Sequence, residues 1–249
     1  MQFISEQRFD DGIREREFIL GEVPGILWTP ESASESTPAP LILAGPSGGG
    51  LRTMYPRLLA RARHAAADGF ATATIELPGS GDRPRIAVVD QARADLRQAL
   101  RAGEPVTDDI VDRLILPLLD QSVSEWRATL DALLALPEIG GRVGYSGGVI
   151  SLGARLAVVE PRITAAVLFA GSFVPRIIFE EARQVTIPLH VLLQWDDEGN
   201  DRQMALDLFD AFGSKEKTLH ANMGGHTGVP QAAGDEAGRF LVRHLNSVR

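Results

Sequence analysis

The sequence predicts an α/β protein built on a mostly parallel, doubly wound sheet. From about residue 41 onward, short apolar runs of strand length alternate with amphipathic segments of helix length. Such alternation is typical of parallel strands that are buried on both faces by the connecting helices. The 249 residues, 44% of them hydrophobic and 23% charged, fit one globular domain. We therefore expect a single α/β domain spanning residues 1–249.

The first part of the chain predicts an antiparallel edge to this sheet. Residues 13–20 and 23–28 are strand-like and are joined by Gly21-Glu22, as in a hairpin. Residues 31–40, rich in Ser, Glu and Pro, form a connector. Parallel strands are then expected at residues 41–44, 71–75, 142–145, 165–170, 189–193 and 217–221. Helices are expected at residues 51–67, 149–159 and 202–212 and after Pro230.

A long interval separates the second and third parallel strands. Helical periodicity marks residues 86–100, 108–119 and 123–136. Part of this interval exceeds what one crossover requires. Residues from about 83 to 124 are therefore either a small helical cap inserted over the site or two ordinary surface helices.

The composition excludes several kinds of catalytic chemistry and several classes of binding partner. The chain has no cysteine, which excludes disulfides, thiolate metal sites and a cysteine nucleophile. Its net charge of −8 argues against a nucleic-acid partner. An N-terminus without a signal-peptide pattern, and no apolar run near the roughly 20 residues of a membrane span, predict a cytoplasmic protein with no membrane partner. Metal-ligand clusters and phosphate-binding loops are missing from the sequence, so no cofactor or metal is expected.

Two segments match the Gly-x-Ser-x-Gly pattern of a nucleophile elbow, in which a serine sits on a strained strand-to-helix turn. They are Gly144-Tyr145-Ser146-Gly147-Gly148 and Gly45-Pro46-Ser47-Gly48-Gly49. The first follows a strand in the middle of the chain and precedes a helix. The second follows an earlier strand, where a loop usually donates a backbone N–H to an oxyanion hole. We interpret Ser146 as the nucleophile, with Ser47 as the alternative.

An acid and a histidine follow Ser146 in the order that this chemistry requires. Three carboxylates, Asp196, Asp197 and Glu198, follow the strand at residues 189–193 after Gln194 and Trp195. His226 lies in a Gly-rich loop after the last strand, whereas the other four histidines fall inside predicted strands or helices. A serine hydroxyl needs an imidazole to remove its proton, and a buried carboxylate to fix the imidazole tautomer. His226 is therefore the predicted general base.

Taken together, these segments resemble the α/β-hydrolase superfamily, and within it the dienelactone-hydrolase-like and prolyl-oligopeptidase-like bacterial serine esterases. The resemblance spans nearly the whole chain and rests on residues 45–50, 76–83, 144–148, 194–198 and 224–226. Aligning residues 194–197 with the Gly-x-x-Asp turn of these relatives implies Asp197 as the acid, with Asp196 as the alternative. Dienelactone hydrolases usually carry a cysteine nucleophile, so a serine at this position favours the esterases.

The oxyanion hole implied by the resemblance consists of backbone N–H groups of Gly147 and of Ser47 or Gly48. Two departures change its surroundings. Pro46-Ser47 stands where relatives commonly carry His-Gly, and Gly79-Ser80-Gly81 stands where they often carry Gly-His-Gly. Pro46 has no N–H to donate, but its neighbours do.

The sequence thus predicts a serine hydrolase that cleaves a carboxylic ester or lactone of a small molecule through an acyl-enzyme. Two alternatives stay open. One is a non-hydrolytic enzyme of the same fold that performs acyl transfer, cyclisation or C–C cleavage in a biosynthetic pathway. The other is a catalytically silent protein that binds a small ligand. The substrate and the oligomeric state are not indicated.

Overall fold

The structure, a computed structural model, describes residues 1–47, 49–171 and 173–246. The strands over these residues are β1 (Gln2–Phe9), β2 (Ile13–Leu20), β3 (Val23–Pro30), β4 (Ala39–Gly45), β5 (Ala71–Ile75), β6 (Ile139–Gly147), β7 (Ile163–Phe169), β8 (Leu189–Gln194) and β9 (Lys217–Asn222). The helices are α1 (Gly50–Ala67), α2 (Ala87–Ala102), α3 (Asp108–Leu134), α4 (Ile150–Val159), α5 (Arg176–Ala182), α6 (Arg202–Ala211) and α7 (Gln231–Leu245).

The strands form one sheet in the order β1-β2-β3-β5-β4-β6-β7-β8-β9. Strands β1 to β3 are antiparallel, β3 also pairs antiparallel with β5, and the remaining pairs are parallel. The predicted mostly parallel sheet with an N-terminal antiparallel hairpin is thereby confirmed. The predicted hairpin is β2 and β3, but β1 adds a further strand outside it. That strand was missed because most of its residues are exposed, so it lacks a clear apolar pattern.

Helices cover both faces of the sheet. Helix α7 packs on β6, β7 and β8, and α1 packs on β3 and β5. On the other face, α3 and α4 pack on β6, and α4 also packs on β7. Side chains of β6 alternate between these faces. The Tyr145 ring packs edge-on against the Trp126 ring of α3, with ring centroids 6.4 Å apart. Gly144, in contrast, lies against Leu241 and Leu245 of α7. Ser146, two residues from Gly144, therefore faces the α1 and α7 side.

The interval between β5 and β6 contains α2 and α3. The two helices expected at residues 108–119 and 123–136 are instead one helix, α3. Its buried positions, including Leu114, Leu119, Trp126 and Leu133, keep one apolar stripe in phase along its whole length. Residues 120–122, which lie between the two expected helices, are helical as well. A capping role for residues 83–124 stays a prediction.

The segment after β7 also contains a short helix, α5, that the sequence did not predict. At seven residues it is too short to show helical periodicity. None of the helices that the described residues form is long and apolar enough to cross a membrane.

Candidate active site

Ser146 lies near the carboxyl end of β6, in the middle of the sheet. It pairs in register with Ala44 of β4 on one side and with Val167 of β7 on the other. The carboxyl ends of parallel strands meet at one edge of a sheet, where ligands of open α/β proteins usually bind. This edge also carries the loops after β4, β8 and β9 from which the other candidate residues come.

The turn that follows Ser146 is made by two glycines. Gly147 has φ of 77° and Gly148 has φ of 70°, whereas no described residue other than glycine has a positive φ. The left-handed residues of the turn are therefore the two that follow Ser146, and Ser146 itself has no positive φ. Glycine adopts this conformation without the steric cost that a serine would meet, so the sharp turn is made without a positive φ at Ser146.

Both glycines that flank the Ser146 turn, Gly144 and Gly148, are closely packed, and at Gly148 the packing requires glycine. A Cβ placed on Gly148 would lie 2.8 Å from the Gly45 Cα, and one placed on Gly144 would lie 2.9 Å from a Leu245 methyl group. The first contact is with backbone and cannot be relieved by a side-chain rotation. Glycine at residue 148 thus allows the β4 loop to approach the end of β6.

Asp197 and His226 are brought together by the loops after β8 and β9. The Nδ1 atom of His226 lies 2.7 Å from Oδ2 of Asp197. Asp197 is 7% exposed, and its carboxylate also accepts hydrogen bonds from the Gly199 N–H at 3.2 Å and from the Asn200 side-chain amide. Asp196, the alternative acid, is exposed. The structure therefore places Asp197, and not Asp196, on the candidate base.

His226 is oriented with Nε2 available for chemistry. Because Nδ1 faces the Asp197 carboxylate, Nδ1 carries the proton in the neutral ring and Nε2 is the acceptor. The ring packs edge-on against Phe169 of β7, with centroids 5.5 Å apart. The preceding loop is held by Gln194, whose side-chain amide donates to the Gly225 carbonyl at 3.0 Å. The His226 side chain remains 66% exposed, so solvent and ligands reach it.

The Ser146 hydroxyl is hydrogen-bonded to Arg61, a residue that the sequence did not indicate. Arg61 of α1 donates from Nη2 to Oγ of Ser146 at 2.9 Å and to the Ser146 carbonyl at 2.7 Å. Within the described ranges, no hydrogen bond joins Ser146 to His226. Burial lowers the pKa of Arg61 from its ordinary value. The single signal in the sequence was an arginine adjoining the buried positions of α1, such as Leu58 and Ala62.

The predicted oxyanion segments meet at the ends of β4 and β6. Gly45 and Gly147 pair in register, which brings the loop after β4 beside the turn after Ser146. Ser47 is exposed, and its hydroxyl donates to the Met54 sulfur at 3.2 Å. Gly48 lies outside the described residues.

A buried carboxylate anchors the start of α1 next to this loop. Glu76, 6% exposed, accepts the Leu51 N–H at 3.0 and 3.2 Å through its two oxygens. Arg83 donates to the Glu76 carbonyl at 2.8 Å and pairs with Glu125 of α3. A carboxylate is favoured at a helix N-terminus by the free N–H groups and the helix dipole. Glu76 thus fixes the position of α1, which carries Arg61, although its sequence context gave no such indication.

No protein-family model matches the chain, and no curated protein matches it. Solved structures do. A cold-adapted esterase from an Arctic intertidal metagenomic library, bound to polyethylene glycol, is 26% identical with a TM-score of 0.75, and the match covers 98% of this chain and 100% of that chain.

Two more distant structures share the fold. An esterase from Pyrococcus furiosus is 12% identical with a TM-score of 0.63, over 94% of this chain and 90% of that chain. A dienelactone hydrolase from Anabaena variabilis is 18% identical with a TM-score of 0.59, over 93% of this chain and 99% of that chain. The expected fold and the expected resemblance are both confirmed. The chain has the α/β-hydrolase fold, and the solved structures that it resembles include esterases and a dienelactone hydrolase.

Proposed function

We propose that this chain is a serine hydrolase that cleaves a carboxylic ester or lactone of a small molecule through an acyl-enzyme. The observation that carries the proposal is the 2.7 Å contact between the buried Asp197 carboxylate and Nδ1 of His226, at the same sheet edge as Ser146. The likeness to esterases supports ester hydrolysis as the general class of reaction.

In the proposed mechanism, Nε2 of His226 takes the proton from Ser146 Oγ while Oγ attacks the carbonyl carbon of the substrate. Asp197 holds the ring in the required tautomer and stabilises the imidazolium. His226 then gives the proton to the leaving alcohol, which leaves an ester on Ser146. Water, deprotonated by His226, attacks this ester and returns Ser146 to its starting state. A hydrogen bond from Ser146 Oγ to His226 Nε2 is expected to form when substrate binds, since catalytic hydrogen bonds are often completed only in the substrate complex.

The oxyanion of each tetrahedral intermediate would be held by backbone N–H groups of Gly147 and of the loop after β4. Support comes from the in-register pairing of Gly45 with Gly147, which brings the two segments together. Each such donor contributes on the order of 3 kcal/mol to transition-state stabilisation. Ser47 is proposed as a donor through its N–H alone, because its hydroxyl is exposed and bonded to Met54.

An apolar substrate group fits the surroundings of the acid and the base. Trp195 follows β8 directly and is 37% exposed, and Met223 follows β9 directly and is 72% exposed. Their loops also carry Asp197 and His226. The Trp195 N–H bonds to the Asn222 carbonyl at 2.7 Å, so the two loops adjoin. Exposed large apolar side chains beside a polar site favour an acyl or alcohol group of apolar character.

The test compares hydrolysis of p-nitrophenyl esters of increasing acyl length by the wild type, Ser146→Ala and Ser47→Ala. Loss of a triad nucleophile typically costs on the order of 10⁴ to 10⁶ in turnover. We expect Ser146→Ala to lose activity on that scale and Ser47→Ala, the matched control in the second Gly-x-Ser-x-Gly segment, to stay within about tenfold of the wild type. Equal activity of wild type and Ser146→Ala would refute the proposal.

Fluorophosphonate labelling separates the remaining readings. Stoichiometric labelling of Ser146, located by mass spectrometry, is expected for a nucleophilic serine. Labelling together with release of free acid from esters supports hydrolysis. Labelling with transfer of the acyl group to an added alcohol, and no free acid, would point to the non-hydrolytic alternative. Absence of labelling would point to the silent binder.

A further inference from the structure

Among the described residues Arg61 has no acidic partner, in contrast to three other arginines whose side chains are largely buried. Arg16 pairs with Glu138, Arg83 with Glu125 and Arg155 with Glu181. In the part of the chain that the structure describes, no carboxylate lies within ion-pair distance of Arg61. Taking a cation out of water without a counter-charge is costly. A negative charge that arises only during the reaction would compensate this cost.

The contacts of Arg61 direct its charge at the nucleophilic atom. One nitrogen, Nη2, donates to both Oγ and the carbonyl oxygen of Ser146, at 2.9 and 2.7 Å. A second, Nη1, lies close to Gly147. The two bonds to Ser146 fix the guanidinium relative to Oγ. Burial raises the pKa of the Tyr145 hydroxyl, which interacts electrostatically with Arg61, so this hydroxyl stays neutral and supplies no counter-charge.

The hydrogen-bond inventory of a serine hydroxyl makes this arrangement compatible with base catalysis. The oxygen has two acceptor positions and one O–H donor. Arg61 uses one acceptor position and leaves the O–H free to point at His226. A hydrogen bond from a cation strengthens as its acceptor becomes negative. The contact is therefore stronger once the proton has left than in the resting enzyme.

We propose that Arg61 is a catalytic residue that stabilises the negative charge developing on Ser146 Oγ. This inference rests on the proposed function. During acylation the O–H bond breaks, the proton passes to Nε2 of His226, and Oγ forms its bond to the carbonyl carbon. During deacylation Oγ is the leaving atom, and Arg61 stabilises it again until His226 returns the proton. Arg61 keeps all its protons throughout.

The test uses Arg61→Gln, which removes the charge, Arg61→Lys, which keeps it, and Arg57→Gln as a control. Arg57 is an exposed arginine one turn earlier in α1. Steady-state kinetics with p-nitrophenyl acetate, a neutral substrate, are measured from pH 5 to 9. We expect Arg61→Gln to lower kcat on the order of 10²-fold with KM changed less than about threefold. Arg61→Lys should recover most of kcat, and Arg57→Gln should match the wild type.

The pH profile distinguishes a catalytic role from a structural one. A base acting on Oγ must approach within about 6 Å of the guanidinium, and a cation at that distance disfavours the imidazolium. Removing the charge in Arg61→Gln is therefore expected to shift the acid limb of kcat/KM to higher pH. Arg61→Lys should leave that limb in place. A structural role alone would not move it.

Several results would overturn the inference. One is an Arg61→Gln enzyme as fast as the wild type or faster. Another is an equal loss in the Gln and Lys variants with a lowered melting temperature and an unmoved acid limb. If Arg61→Gln does not fold, the Arg61→Lys variant tests the role instead. A kcat above a tenth of the wild-type value, with the acid limb unmoved, supports the catalytic role of Arg61. A lower kcat refutes it. Activity that survives Ser146→Ala would instead refute the proposed function itself.

Discussion

Replacing Asp197 by Asn tests how the buried carboxylate controls His226. Asp197 accepts hydrogen bonds through both oxygens, from the Gly199 N–H at Oδ1 and from His226 and Asn200 at Oδ2. An Asn side chain that keeps its oxygen toward Gly199 presents its NH₂ group to Nδ1 of His226. Nδ1 must then accept, so the ring proton moves to Nε2. Nε2 can no longer take the proton from Ser146.

The expected cost is on the order of 10⁴ in kcat, or about 5.5 kcal/mol of transition-state stabilisation, as for other triads with the wrong tautomer. The assay is steady-state hydrolysis of p-nitrophenyl acetate, with melting temperatures measured alongside to show that the variant folds. Asp196→Asn is the matched control, because this neighbouring carboxylate is exposed. It should retain activity within a few-fold of the wild type. A large loss in Asp196→Asn together with an active Asp197→Asn would refute the reasoning.

The remaining predictions concern stability. Gly148→Ala should lower the free energy of unfolding by more than about 2 kcal/mol, since its Cβ would meet the Gly45 backbone and its φ is positive. Gly234→Ala, in α7 with open space around it, should raise the free energy of unfolding by up to about 1 kcal/mol. Urea unfolding of both variants measures these opposite changes. Glu160→Gln should cost about 1–3 kcal/mol at pH 7, because the hydrogen bonds of Arg162 hold the pKa of Glu160 below its usual value. The pKa of Glu160 is lower in the folded than in the unfolded state. The difference in unfolding free energy between wild type and Glu160→Gln therefore has its full size above a pH of about 4.3 and decreases as the pH falls further. An unchanged difference at pH 3 would contradict it.

The elements with a clear apolar pattern were predictable, because that pattern indicates which of their residues are buried. Strands β4, β5, β7 and β8 are short, largely apolar runs, and the alternation of strands with helices favours a parallel sheet. Strand β1 escaped prediction because it pairs on one side only and leaves most of its residues exposed. Helix α3 was expected as two helices, at residues 108–119 and 123–136, although its buried positions stay in phase across the interval between them. It packs against α2, α4 and β6 as one element.

Sequence motifs identified the candidate site residues but not their contacts in the fold. The residues Ser146, Asp197 and His226 were chosen from a glycine pattern, from chain order and from a family resemblance. The choice between Asp196 and Asp197 rested on an alignment, whereas in the structure burial and the His226 contact separate them. The loop after β4, from which oxyanion donors are predicted, lies beside the end of β6, because parallel strands end at one edge.

By itself, the sequence determined the fold class, the edge of the sheet that carries the site and the residue types available there. Periodicity and turn chemistry are local properties, and they suffice for those conclusions. Only the tertiary structure decided that the left-handed turn falls on Gly147 and Gly148, that Glu76 holds the start of α1 and that Arg61 reaches Ser146. Arg61 and Ser146 are 85 residues apart in the chain. Their contact arises from the packing of α1 against the sheet, and no local pattern in the sequence encodes it.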